Sequence, residues 1–317
     1  MATAQDYSDQ KLPGAARPAE PALRRFFRQH GWSYAFVLPS MLTFTIFVLF
    51  PVLWAFVISF QRYNLARGGR WVTPIYDNYV DAFSQFNNLF VSGIKNTLIY
   101  TLFTVMANIL LGLILASLIQ PLGNKLRTFF RAAYYLPAVT SAIVIGMTWS
   151  YIFNAQWGFA NYLLRLAGLA PVRWLSDPDI ALGSVTLSAI LTMPATAIVL
   201  FSAAMGSIPA EYYEAAELDG AGPIQKWWSI TVPLIKSTTL YLVVLYTIAS
   251  FEVFERIYVM VPSGVGNSTQ TIVTQIYSNG FKDQNYGVAS AQAFVLFLMV
   301  AVVAVFQFRL LRSDVEY

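Results

Sequence analysis

Three charged residues interrupt one of the apolar stretches of the chain, Phe251-Glu252-Val253-Phe254-Glu255-Arg256. A charge within a membrane helix is costly, so such residues usually face a bundle interior or a water-filled cavity. Their spacing of three places Glu252 and Glu255 on one face of a helix, where their carboxylates can bind hydroxyl, amino or cationic groups. Alternatively, Glu252 and Arg256 are four residues apart and form an internal ion pair, which leaves Glu255 in need of another partner.

A second candidate site is the segment Tyr151–Gly158, which reads YIFNAQWG. It combines aromatic rings with the amide of Asn154 and with Gly158, and sugars are bound by aromatic faces together with fixed amide and hydroxyl groups. The alternative is an ordinary helix end with aromatic residues at the membrane interface. Composition alone does not separate these two interpretations.

The longest polar segment in the second half, Glu211 to Lys236, predicts two short helices joined by a tight turn. Ser207 and Pro209 favour a helix start, with the Ser207 hydroxyl as the cap. Gly220 provides the left-handed stop, and Gly222-Pro223 begins the second helix. Ala215 and Ala216 leave a shallow surface that a partner can approach closely.

The residue types exclude most catalytic chemistry. There is no cysteine and only one histidine, so thiolate nucleophiles and sites built from several Cys or His ligands are excluded. The sequence has no G-x-x-x-x-G-K-[ST] phosphate-binding loop, no H-E-x-x-H pair and no nucleophile elbow. We predict a protein that is not an enzyme and that binds no metal or cofactor of its own.

The composition indicates a membrane protein. Of the 317 residues, 57% are hydrophobic and 11% are charged, whereas soluble domains carry about 25% charged residues. The net charge of +4 is explained by basic loops, and no nucleic-acid binding is expected. Prolines occur within the apolar runs, where a helix bundle tolerates them, and Gly112, Gly146, Gly183 and Ser188 are small enough for close helix contacts.

We predict an all-α polytopic fold with six spans. The predicted segments are a tail at 1–33, a transmembrane domain at 34–310 with spans at about 34–60, 96–119, 132–154, 180–206, 237–261 and 288–308, a hairpin at 207–236 and a tail at 311–317. The larger share of the Lys and Arg residues lies on the side of the termini and the hairpin. The positive-inside rule therefore predicts that both termini and the hairpin lie in the cytoplasm.

The polar segment resembles the EAA signature of permease subunits of bacterial ABC importers. The matching residues are Glu214-Ala215-Ala216, Asp219-Gly220-Ala221 and Ile230-x-Val232-Pro233. Further short motifs resemble carbohydrate permeases of the MalF-like type over roughly residues 34–310: Leu38-Pro39, Phe50-Pro51, Ser59-Phe60, Asn96-Thr97, Leu111-Gly112, Arg131, Leu136-Pro137, Phe153-Asn154, Gly158 and the loop 264–269.

The resemblance implies an assembly with a second, MalG-like permease, two ATPase subunits that hold ATP and Mg²⁺, and an extracytoplasmic solute-binding protein. It implies that Glu214, Ala215, Ala216, Asp219 and Gly220 dock on one ATPase. It also assigns sugar contacts to Asn154 and Gly158, and to the positions of Glu252 and Glu255, where the maltose relative has amides. The carboxylates in this chain make maltose itself doubtful, and they disfavour anionic solutes unless Arg256 turns inward.

Two other classes of function remain open at this point. The same machine could import a non-sugar solute, such as a glycerol phosphodiester, an amino sugar or a polyamine. An ATP-independent secondary transporter would instead show inverted repeats and broken helices near the midplane. The sequence shows neither of these features clearly, which favours the importer over the secondary transporter.

Overall fold

The structure is a computed structural model that describes residues 22–64, 68–84, 89–192, 194–261 and 265–311. The helices in chain order are α1 (Ala22–Phe44), α2 (Phe50–Ile58), α3 (Asp77–Ser84), α4 (Leu89–Ile119), α5 (Asn124–Tyr135), α6 (Ala142–Ile152), α7 (Phe159–Leu166), α8 (Ala181–Leu191), α9 (Ala195–Gly206), α10 (Ala210–Leu218), α11 (Pro223–Lys226), α12 (Val232–Leu234), α13 (Lys236–Phe251), α14 (Glu255–Met260), α15 (Ile272–Tyr277) and α16 (Tyr286–Leu311). The predicted all-α class is confirmed, with one small addition: strands β1 (Gln61–Asn64) and β2 (Gly68–Trp71) pair antiparallel, with Gln61 opposite Trp71.

The chain divides between Ala55 and Phe56 into two compact units. In the first unit, α1 leads through a π-helical turn at Thr45–Leu49 into α2. Pro39 lies inside α1, and the Oγ1 atom of Thr43 donates a hydrogen bond to the Pro39 carbonyl at 2.9 Å. Helix α1 begins at Ala22, so it includes residues 22–33 of the predicted tail. The rest of that tail, 1–21, and residues 312–317 of the other tail lie outside the described residues.

The second unit is built around the long helix α4, which packs against α8, α9 and α13. A Cβ atom at Gly112 of α4 would collide with the Cβ of Ala197 on α9, so this pair of helices needs glycine at that point. The prediction of a close contact is confirmed at Gly112 and also at Gly146, where a Cβ would lie 3.3 Å from the side chain of Val259. It is wrong at Gly183, because a Cβ there would meet open space.

Two of the six predicted spans are bent or broken. Among the described residues, four helical stretches are long and apolar enough to cross a bilayer: Tyr34–Ile58, Leu89–Ile119, Ala181–Gly206 and Tyr286–Leu310. The number of spans reaches six if each of two bent helix pairs counts as one span. The pair at Asn124–Val139 and Ala142–Ile152 bends by 94°, and the pair at Pro223–Leu234 and Lys236–Phe251 bends by 66°. The second span begins at Leu89 rather than at residue 96.

The predicted third and fifth spans both differ from the structure. The third span is not one helix over 132–154, because a 3₁₀ turn at Leu136–Val139 carries Pro137 and separates α5 from α6. Helix α6 has 11 residues and is about 16 Å long, shorter than the hydrocarbon core of about 30 Å. The fifth helix ends at Phe251 rather than at 261. Broken helices are therefore present, so their absence does not separate an importer from a secondary transporter.

Helix α13 has one end at the hairpin, and the segments near its other end form a small core of their own. Ala82, Phe90, Ile272 and Val288 bring α3, α4, α15 and α16 together in one buried cluster. The buried side chain of Asn78 fastens β1 to α3, since its Nδ2 donates to the carbonyl oxygens of Ser59 and Gln61, both at 2.9 Å. The connecting segments on this side are thus folded structure held in place by buried polar contacts.

Candidate functional site

The polar hairpin is built as the sequence predicts, with a Schellman motif at its turn. Gly220 has φ +78°, its N–H donates to the Glu217 carbonyl at 3.0 Å, and the N–H of Ala221 donates to the Ala216 carbonyl at 2.8 Å. These two bonds satisfy carbonyls at the end of α10 that would otherwise lack partners. Gly222 then caps α11, and Pro223 occupies its first turn.

The predicted start of the hairpin is wrong in one detail. The cap position of α10 is Pro209, without a side-chain hydrogen bond. The Ser207 hydroxyl instead donates to the Ala204 carbonyl at 2.8 Å, so it closes the end of α9. A serine between two helices can bond in either direction, and here the carbonyls left free at the end of α9 attract the hydroxyl.

Three side-chain contacts hold the hairpin as a rigid body. The Lys226 ammonium forms an ion pair with the Glu217 carboxylate across the two arms. The hydroxyls of Tyr213 and Thr231 lie 2.9 Å apart and make a second link between the arms. Nε1 of Trp227 donates to the Ser117 hydroxyl at 2.8 Å, which ties the hairpin to α4.

The surface of the hairpin carries the residues predicted to dock an ATPase. Glu214, Ala215, Asp219 and Gly220 are exposed, and Ala216 is half-buried. The apolar side chains of Leu218 and Ile224 on either side of the turn are 91% and 75% exposed.

The two predicted acidic residues are exposed but do not share a helix face. Glu252 follows the last residue of α13, and Glu255 begins α14 after a break at 252–254. The break forms because the Val253 carbonyl leaves the helix ladder and accepts a hydrogen bond from the Thr271 hydroxyl at 3.1 Å, while the Val253 side chain enters the core. The predicted arrangement on one helix is therefore wrong.

Arg256 does not pair with either glutamate. Its Nη1 donates to the hydroxyls of Ser188 and Thr192 on the neighbouring α8 segment, at 3.1 and 3.3 Å. Thr192 also accepts a hydrogen bond from Nε1 of Trp149 on α6 at 3.0 Å. The alternative of an internal Glu252–Arg256 pair is thus wrong among the described residues, and the two carboxylates are left free to meet a solute or a partner chain.

Asn154 and Gly158 build the loop that follows α6. Oδ1 of Asn154 accepts the N–H groups of Gln156 and Trp157 at 2.9 and 3.2 Å. A Cβ at Gly158 would clash with the backbone of residues 152 and 154, so this position needs glycine. These contacts give both residues a structural role, and their role in binding a sugar stays a prediction.

The structure brings this loop and the 252–254 break together. Phe153 and Val253 belong to one buried cluster, which also contains Tyr100, Ile257 and Met260. Asn154 follows Phe153 and Glu252 precedes Val253, so this cluster packs two segments near helix ends against each other. Broken helices that meet in this way are where transporters place their solute sites.

Asn96 and Thr97, which the sequence indicated only as part of a family motif, hold the segment 268–272 against α4. Nδ2 of Asn96 donates to the carbonyls of Ser268 and Gln270 at 3.0 and 2.8 Å, and Oγ1 of Thr97 accepts the N–H of Ile272 at 3.1 Å. Adjacent polar residues in an otherwise apolar helix were the available signal. Among the described residues, no group of three His, Cys, Asp or Glu side chains lies close enough to hold a metal ion.

A helical bundle with four to six candidate membrane spans among the described residues, and with an exposed hairpin, defines a polytopic membrane protein. Residues 108–314 match the family described as binding-protein-dependent transport system inner membrane component. The chain belongs to this family.

Relatives that match over most of their length agree with this assignment. The arabinooligosaccharides transport system permease protein AraP of Bacillus subtilis (strain 168) is 30% identical over 91% of this chain and 91% of its own. The sn-glycerol-3-phosphate transport system permease protein UgpA of Brucella abortus biovar 1 (strain 9-941) is 30% identical over 90% of this chain and 96% of its own. A chain in the crystal structure of a bacterial alginate ABC transporter, in complex with alginate pentasaccharide-bound periplasmic protein, superposes with a TM-score of 0.81 at 26% identity, covering 92% of this chain and 98% of that one.

Proposed function

We propose that this chain is one permease subunit of an ATP-driven ABC importer for a sugar or oligosaccharide, and that it forms half of the translocation pathway. The observation that carries the proposal is the rigid, exposed hairpin of residues 210–234, in a chain of the binding-protein-dependent family. Relatives described as carriers of arabinooligosaccharides and alginate support a saccharide as the solute.

The proposed assembly has three kinds of partner. A second permease, MalG-like, completes the pathway, and two ATPase subunits bind ATP and Mg²⁺ on their own chains. An extracytoplasmic solute-binding protein delivers the sugar, as the periplasmic protein in the alginate complex suggests. The chain lies in the bacterial inner membrane with both termini and the hairpin in the cytoplasm, where an ATPase can reach Glu214, Ala215, Ala216, Asp219 and Gly220.

The hairpin can transmit motion because its two arms are joined to each other. Its arms are joined by the Lys226–Glu217 and Tyr213–Thr231 contacts, so a displacement of the turn moves the whole hairpin. The hairpin leads directly into α13 through the 66° bend after Leu234. At its other end, α13 reaches the break that carries Glu252. A push on the turn by a closing ATPase therefore reaches the proposed solute site along a single helix of about 24 Å.

A second candidate is the same machine with a non-sugar solute. The UgpA relative is described as a carrier of sn-glycerol-3-phosphate, an anion. The exposed pair Glu252 and Glu255 opposes an anionic solute in this chain, and Arg256 is engaged with Ser188 and Thr192 rather than with an acidic residue. An amino sugar agrees better with these charges than a glycerol phosphodiester does. A secondary transporter is disfavoured by the family assignment.

The test is purification of the tagged chain from detergent-solubilised native membranes, with identification of the chains that accompany it. We expect a second permease and an ATPase with a phosphate-binding loop, and we expect both to be retained by a Gly123→Ala control. Gly220→Pro should lose the ATPase and keep the second permease. Purification of the wild-type chain without any ATPase under mild conditions would contradict the proposal.

A further inference from the structure

A cavity of about 380 Å³ lies beside the start of α14, and its lining comes from two segments, 254–261 and 269–282. Its volume falls in the range of about 300–1,000 Å³ that is usual for small-molecule sites. None of the residues so far assigned to the solute lines it. Glu255 directly follows Phe254, which forms part of the wall.

One wall of the cavity is aromatic. The rings of Phe254 and Tyr258 are stacked at a centroid distance of 5.1 Å, and Tyr277 meets Tyr258 edge-on at 5.4 Å. Tyr258 is 53% exposed, so its ring is not enclosed by other side chains. A hydrogen bond to Tyr258 raises the pKa of Tyr277 above its ordinary value, which links the two tyrosines. The electron-rich faces of such rings attract the polarised C–H groups of a sugar ring.

The other wall is polar and carries amide and hydroxyl groups. Oε1 of Gln270 accepts hydrogen bonds from Thr274 Oγ1 at 2.9 Å and from Gln275 Nε2 at 3.0 Å. These two donors fix the Gln270 amide, and its Nε2 has no hydrogen-bond partner among the described residues. The hydroxyl of Ser278 lies on the same wall. Fixed amide and hydroxyl groups that line the same cavity as aromatic rings suit a polyhydroxylated ligand.

The charges of the cavity argue against a polyamine. Lys282 is its one charged lining residue among those described, and no carboxylate lines it. A polyamine would therefore meet a like charge and no counter-ion. A purely apolar ligand would leave the amide and hydroxyls of the polar wall without partners, which is also unfavourable.

The position of the cavity suggests when a ligand would meet it. It lies past the end of α13 that is remote from the hairpin, and the hydrogen bonds from Asn96 and Thr97 hold the 268–272 segment in place. We propose that this cavity is a saccharide subsite at the outer mouth of the pathway, where Tyr258 and Tyr277 hold one sugar unit before it reaches Glu252 and Glu255. The proposal rests on the proposed function, and it specifies where on this chain the sugar is first bound.

The test measures binding of saccharides to the assembled complex in lipid nanodiscs, without ATP and without the solute-binding protein. Saturation-transfer NMR would use arabinotriose as a neutral probe, a mannuronate trisaccharide as an anionic probe and spermidine as a cationic probe. We expect binding of at least one trisaccharide, with saturation transferred from the aromatic rings, and no binding of spermidine. Tyr258→Ala and Tyr277→Ala should each weaken binding about tenfold.

Two variants serve as controls. Tyr258→Phe keeps the ring and should bind within about twofold of wild type, because the ring face supplies most of the contact. Tyr162→Ala removes a tyrosine that is 50% exposed on α7 and outside the cavity, and it should bind like wild type. The inference is overturned if neither trisaccharide binds to the wild-type complex, if spermidine competes with them, or if both alanine variants bind normally. Recovery of the ATPase in the same preparation is scored separately, so the failure of this subsite is distinguishable from the failure of the proposed function.

Discussion

Nδ2 of Asn96 lies 2.8 Å from the carbonyl oxygen of Gln270, a residue 174 positions later in the chain. The same nitrogen lies 3.0 Å from the Ser268 carbonyl. One amide in the long helix α4 thus fixes the segment that carries the polar wall of the proposed saccharide subsite.

Replacement of Asn96 tests how much this anchor contributes. Asn96→Ala leaves at least two carbonyls without their buried partner, at a cost of about 1–3 kcal/mol. We expect the thermal unfolding midpoint of the complex in detergent to fall by roughly 3–10 °C, and hydrogen exchange to rise in residues 266–272. The control is Asn124→Ala, because Asn124 is exposed on α5. Unchanged exchange in residues 266–272 would contradict the anchoring role.

The turn of the hairpin should require glycine at position 220 because of its backbone conformation, and not because a larger side chain would collide with a neighbour. Its φ is +78°, and a Cβ at this position would meet nothing within 4 Å. Gly220→Ala therefore costs about 1–2 kcal/mol through the left-handed conformation alone. Gly220→Pro is more severe, because proline fixes φ near −65° and removes the N–H that bonds to Glu217. We expect Gly220→Pro to insert in the membrane normally and to abolish ATP-driven uptake, with Gly220→Ala intermediate.

The matched control for Gly220 is Gly123→Ala. Gly123 also has open space around it, but its φ is −58°, which any residue adopts. Uptake should be within about twofold of wild type for this variant. Normal ATP-driven uptake by a fully assembled Gly220→Pro complex would refute the coupling role of the hairpin.

The local features of the hairpin could be predicted from the sequence, because they depend on neighbours in the chain. Gly220 and Gly222-Pro223 act through backbone conformations that each residue type allows by itself. The break at 252–254 could not be predicted in this way. It depends on the Thr271 hydroxyl, 18 residues later, which satisfies the Val253 carbonyl and makes it possible for the helix to end there.

The partner of Arg256 shows the same limit. Helical spacing predicted Glu252, but the guanidinium reaches Ser188 and Thr192, which are 68 and 64 residues away in sequence. Helical spacing is informative only while the helix continues, and this helix stops at Phe251. The proposed saccharide subsite could not be predicted for a related reason: its lining comes from two segments, 254–261 and 269–282, that meet only in the folded chain, where the Thr271 hydroxyl bonds the Val253 carbonyl.

Glu252 and Glu255 should select the solute. Both are exposed, and neither forms an ion pair with a described residue. The double change to Gln keeps the size and the hydrogen-bonding capacity but removes both charges. For a sugar with hydroxyl or amino groups at this point, we expect KM to rise about tenfold, consistent with the loss of charge-assisted hydrogen bonds. Uptake of an anionic analogue should improve relative to the neutral sugar.

The control for the glutamates is Asp179→Asn, which removes an exposed carboxylate from the loop before α8. It should leave KM and solute preference unchanged. If the double Gln variant of Glu252 and Glu255 has wild-type uptake and wild-type selectivity, the two carboxylates have no part in solute choice.

The two links of Trp227 and Lys226 should differ in their response to salt. The Trp227–Ser117 hydrogen bond joins two neutral, partly buried groups at 2.8 Å, and it should contribute about 0.5–1.5 kcal/mol. The Lys226–Glu217 pair has its carboxylate 65% exposed, so it should contribute less and weaken as salt rises.

Double-mutant cycles with Trp227→Phe and Ser117→Ala, and with Lys226→Gln and Glu217→Gln, separate the two contacts. We expect the coupling energy of the first cycle to be the same at 0.1 and 0.5 M NaCl and that of the second to approach zero at the higher concentration. If the Trp227–Ser117 coupling also disappears in salt, or if none is measured at either concentration, the hairpin is not held to α4 by this hydrogen bond, and its rigid connection to the bundle must be sought elsewhere.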